Sequence, residues 1–83
     1  KLEFKTEFFS IKDTVDDVIR NDEAGDILVS IVNQFGTMKT KKSMLGIMGG
    51  MLVEEMSSFF SPDKADPEKI LALINKKLQE IKK

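Results

Sequence analysis

Six serines, Ser10, Ser30, Ser43, Ser57, Ser58 and Ser61, carry hydroxyl groups with which this chain could attack a substrate. Serine attacks efficiently only beside a base, and the sequence holds no His, Cys, Tyr or Trp. No Gly-x-Ser-x-Gly elbow surrounds any of the six. Ser43 follows Lys42 directly, but neighbours on a helix point about 100° apart. Glu54 and Glu55 fall on an outer helical face, where two carboxylates do not converge on one bond. The residue types therefore argue against an enzyme, and the expected catalytic set is empty.

The acids suggest hard-cation binding. Asp13, Asp16, Asp17, Asp22, Glu23 and Asp26 crowd one stretch against a single Arg20, and carboxylate oxygens suit Ca²⁺. An EF-hand frame around Gly25 would begin at Arg20, which cannot ligate. Acids at helix starts offset the dipole instead, so no metal is expected. Gly46-Ile47-Met48-Gly49-Gly50 lacks the Lys-Ser/Thr ending of a phosphate loop and follows no strand; no cofactor is expected either.

Methionine offers an adaptable apolar surface, because the unbranched thioether repacks around varied partners. The candidate partner surface is Met44, Met48, Met51, Phe59 and Phe60. Core filling is the competing role for these residues, and exposing them together would favour a partner.

The chain has 83 residues and a net charge of −1. That balance argues against nucleic acid, which selects a basic excess. No run approaches the ~20 apolar residues of a membrane span. Lys1 to Phe9 alternates charge with apolar residues, unlike a signal peptide. The compartment stays open between cytoplasm and a secreted parent. Sugar binding relies on aromatic platforms, and the lack of Trp and Tyr argues against a carbohydrate partner.

Positioning these residues requires helices. Ala24, Ile27, Leu28, Ile31, Val32 and Phe35 form an unbroken stripe at helical spacing, with Gly36 placed for a left-handed C-cap. Asp13-Thr14, Asn21 and Asp66-Pro67 are helix starts. Ile70, Leu71, Ile74, Leu78 and Ile81 supply an inner face near the end. Gly49-Gly50 should break a Met-rich helix in two. Thr37 to Lys42 is a polar connector, and Ser61-Pro62-Asp63 ends the segment before the last helix. The expected fold is all-α: one domain over 1–83, with helices near 14–20, 22–35, 43–49, 51–60 and 67–82. They form a compact four- to five-helix bundle or orthogonal array. An extended N-terminal arm, 1–12, is expected to cover it with Leu2, Phe4, Phe8 and Ile11.

The order of these landmarks resembles a small Met-rich helical module at the C-terminal end of some bacterial glycoside hydrolases, notably beta-glucosidase-like enzymes, and of other multidomain hydrolases. The stretches that carry the likeness are Phe9 to Val15, Asn21-Asp22-Glu23-Ala24, Ser43 to Leu52, and Ile70 to Leu78. Asp22 and Ser43 stand where that module has proline, and a further Gly sits beside Met51. The resemblance implies a non-catalytic accessory domain that contacts protein, either its parent's catalytic domain or a second copy. It carries over no functional residue. The competing readings are a carbohydrate- or small-ligand-binding domain and a free-standing bacterial regulator or immunity-type protein.

Overall fold

Thr14, Asn21 and Asp66 each hold an extended backbone and turn a side-chain oxygen onto an N–H that a starting helix leaves free. Thr14 Oγ1 accepts from Asp17 at 3.2 Å, Asn21 Oδ1 from Ala24 at 2.9 Å, and Asp66 Oδ1 from Glu68 at 2.9 Å. From these caps run α1 (Val15–Arg20), α2 (Asp22–Phe35) and α4 (Pro67–Leu78). Between the last two lie α3 (Lys42–Leu45), a 3₁₀ turn (Gly46–Met48) that continues it, and a 3₁₀ helix (Val53–Phe59). The computed structural model describes residues 4–36, 39–60, 63 and 66–83. Among these the fold is all-α, 62% helical, with isolated bridges in place of a sheet.

Asn21 makes the corner between α1 and α2 by serving both. Its N–H closes α1 on the Val18 carbonyl at 3.2 Å while its side chain opens α2. The two helices then pack closely at Gly25, where a Cβ would lie 3.1 Å from the Ile19 Cα and 2.9 Å from the Lys42 side chain. Lys42 crosses this point and ends on Asp26 Oδ1 at 3.0 Å, with Asp22 Oδ1 at 3.7 Å. The start of α3 is thereby fastened to the start of α2.

One apolar cluster joins all the helices. Val15 and Val18 of α1, Ala24, Leu28, Ile31 and Val32 of α2, Leu45 of α3, and Ile70, Ile74 and Leu78 of α4 are buried together. Val53, Met56 and Phe60 complete it from the fourth side. The radius of gyration, 11.4 Å, matches the roughly 12 Å of a fully collapsed chain of this length.

Several sequence expectations are corrected by this arrangement. The arm buries Phe9 and Ile11, whereas Phe4 is 41% exposed and Phe8 half-buried. Phe9 is carried inward because its N–H bonds the Ile81 carbonyl at 3.0 Å and Phe8 bridges to Lys82. Gly36 has φ −79° and ψ 168°, so its backbone is extended and not left-handed. Glycine stands there because a Cβ would fall 2.4 Å from the Val32 carbonyl oxygen. Residues 53–59 wind as 3₁₀ and not as an α-helix. The tighter winding aligns buried Val53 with buried Met56 three residues on. Helix α4 stops at Leu78; Ile81 reaches the core from the turn beyond it. Leu2, Thr37, Ser61 and Pro62, and the side chain of Phe59, lie outside the described residues.

Candidate interaction surface

The stretch from Ser43 to Val53 has no charged residue, and the fold decides which of its apolar side chains face water. In α3 and the 3₁₀ turn after it, Leu45 is fully buried and Met48 is half-buried against the core. These two lie three residues apart, which 3₁₀ geometry places in line. Met44 and Ile47 form the neighbouring line and face outward, 44% and 86% exposed. Ile19 of α1, half-buried, borders them, its methyl lying 3.9 Å from where a Cβ on Gly46 would sit.

The ridge is held from beneath. The first N–H groups of α1 have no partner inside their own helix. Val15 donates instead to the Met51 carbonyl at 2.8 Å, and Asp16 to the Gly49 carbonyl at 3.1 Å. Val53 and Glu54 return N–H bonds to the carbonyls of Asp13 and Ile11, at 2.9 and 3.0 Å. At Gly49 a Cβ would meet the end of the Asp16 side chain, its carboxylate, at 2.6 Å. Asn33 steadies the strand-like entry to α3, accepting from the Thr40 N–H at 2.5 Å and donating to its carbonyl at 3.1 Å.

The five residues of the expected partner surface are thus dispersed. Met44 is exposed, Met48 and Met51 are half-buried, and Phe60 is 2% exposed within the core. The Phe59 side chain is outside the described set. Among the described residues, the large apolar side chains exposed outside that group are Ile47 and, on the arm, Phe4. The signal for Ile47 was present, since it stands off the helical path through Met44, Met48 and Met51.

The residues weighed for chemistry are scattered or occupied. Ser10 is buried, its Oγ accepting from the Lys12 N–H at 3.1 Å in the turn that precedes α1. Glu54 pairs with Lys12 at 2.9 Å. Asp16 and Asp17 share Arg20 at 3.9 and 3.7 Å, and Asp22 and Asp26 share Lys42. Among the described residues no three His, Cys, Asp or Glu side chains are grouped to hold a metal ion. No described helix is long and apolar enough to cross a membrane. No family model matches this chain, and no curated protein or solved structure matches it either.

Proposed function

We propose that this chain is a non-catalytic helical interaction module that engages protein through the Met44–Ile47 ridge. The accessory role within a larger bacterial hydrolase is the setting to which its resemblance points. The observation that carries the reading is Ile47, at 86% exposure, beside Met44 in a segment without charge. A single exposed aliphatic residue is ordinary on any protein surface. Here two stand side by side on a short, internally braced element, with exposed Gly46 and Gly50 around them. Burying such a side chain against a partner yields about 1.5–3 kcal/mol. The ridge contains no base, acid or nucleophile, which suits contact between surfaces rather than turnover.

A photocrosslinking amino acid in place of Ile47, in the full chain within cells that produce it, tests this reading. Discrete protein adducts should form at position 47 and be missing at exposed control positions Ser30 and Lys76. Adducts no more frequent at 47 than at the controls, or bond-making turnover by the purified chain, would overturn it.

A further inference from the structure

Resting on the interaction reading above, we infer that the ridge pairs two copies of this chain across a two-fold axis passing near Ile47. Three of the five glycines have reasons inside the molecule: at Gly25, Gly36 and Gly49 a Cβ would come within 2.9, 2.4 and 2.6 Å of a neighbouring atom. Gly46 and Gly50 do not. A Cβ at Gly46 would make one ordinary contact at 3.9 Å, and at Gly50 it would meet nothing within 4 Å. Neither has the positive φ that favours glycine. They leave low, bare backbone on both sides of Ile47, across which a second chain can lie closely.

Charge selects the occupant. Where the chain enters the ridge, Lys39 and Lys41 are exposed and form no ion pair among the described residues, while Lys42 is held by Asp22 and Asp26. Where it leaves, the Asp16 carboxylate lies against Gly49, and Asp16 and Asp17 share one guanidinium. The surface therefore runs from basic to acidic with an apolar middle. A two-fold rotation matches such a pattern to itself, because an isologous interface sets each end of the patch against the opposite end of its copy. Ile47 then packs near its symmetry mate, Met44 covers the flank, and Lys41 faces the acidic end of the second copy. A uniformly anionic surface would be repelled at Asp16 and Asp17.

The contact is weak by its size. A standard interface removes roughly 800 Å² from each partner, a large share of the 5195 Å² this chain exposes, and the ridge is one short segment of that. Pairing is expected in the micromolar-to-millimolar range.

Sedimentation velocity over that range tests the proposal. The mass should rise from 9.4 kDa toward twice that value with concentration. Ile47→Asp should hold the chain at the monomer mass with an unchanged melting temperature, since this side chain supports nothing in the core. Gly46→Ala should weaken pairing without loss of fold. Lys41→Glu should weaken it, and adding Asp16→Lys to the same chain should restore it. A chain that stays monomeric at millimolar concentration overturns the pairing. If position 47 still gives adducts with a different protein in that case, the interaction reading survives alone. Pairing that persists in Ile47→Asp also overturns the proposal, because the dimer would then use another face.

Discussion

Asn75 accepts a hydrogen bond from the Ile11 N–H at 3.1 Å inside the molecule, joining α4 to the N-terminal arm across 64 positions. The Asn75 side chain is 2% exposed, on a helix face otherwise given to Ile70, Ile74 and Leu78. One turn on, Gln79 continues the seam, donating to the Phe9 carbonyl at 2.7 Å and accepting from the Lys5 N–H at 2.6 Å. Side-chain amides thus fix the arm beside the backbone bonds of its bridge to the C-terminal turn, from Phe9 N–H to the Ile81 carbonyl and from Lys83 N–H to the Glu7 carbonyl.

Replacing Asn75 by Ala or Leu should destabilise the fold by about 1–3 kcal/mol, because the Ile11 N–H stays buried without its acceptor. Urea unfolding checks this through the midpoint, with the slope unchanged. A loss below about 0.5 kcal/mol, the range of an uninvolved surface change, would mean that the Asn75 bond does not hold the arm.

The glycines separate by what surrounds them. Gly36→Ala should cost about 1–3 kcal/mol, the usual penalty for forcing atoms into filled space, and Gly49→Ala less, because the atoms in its way are the end of the half-exposed Asp16 side chain, which can turn aside. Gly50→Ala should be neutral or stabilising by about 0.4–1 kcal/mol, through a more restricted unfolded chain. Thermal melts of the three variants in parallel check the order. A destabilised Gly50→Ala would contradict the open space around that residue.

Leu28→Ala, at a fully buried position, should cost about 2–5 kcal/mol. Ile47→Ala should change stability by no more than about 0.5 kcal/mol. Both substitutions remove aliphatic carbon, so the contrast isolates burial. Equal losses would place Ile47 in the core.

Deleting residues 67–83 removes Ile70, Ile74, Leu78 and Ile81 from the cluster, along with the carbonyl that receives the Phe9 N–H. The remaining chain should lose its cooperative melt. A retained transition by circular dichroism would show that α4 is an appendage to a core complete without it.

How much of this was legible in the sequence depends on how local each cause is. Helix α2 could be read from its stripe, and its cap from Asn21, because both causes lie within a few residues. The same holds for Asp66 and Pro67 at the start of α4. Between Lys42 and Phe60 a single α-helical period does not hold, because the winding changes from α to 3₁₀. An α-helix turns 100° per residue and a 3₁₀ helix 120°, so past Leu45 the tighter winding keeps Met48 in line with Leu45 on the inner side and Ile47 in line with Met44 on the outer one. The burial of Asn75 had no local sign, since its partner is a backbone N–H at Ile11. Phe9 displaces Phe8 for the same reason: the Ile81 carbonyl that orients it lies at the other end of the chain.

The methyl groups of Ile47, Met44, Leu45 and Met56, observed by NMR with a soluble paramagnetic probe at rising protein concentration, test the exposed ridge most directly. In dilute solution Ile47 and Met44 should be strongly relaxed while Leu45 and Met56 stay sharp, and concentration should then protect Ile47 and Met44 alone. An Ile47 methyl already as shielded as Leu45 in the dilute monomer would contradict the exposed ridge on which the functional reading rests.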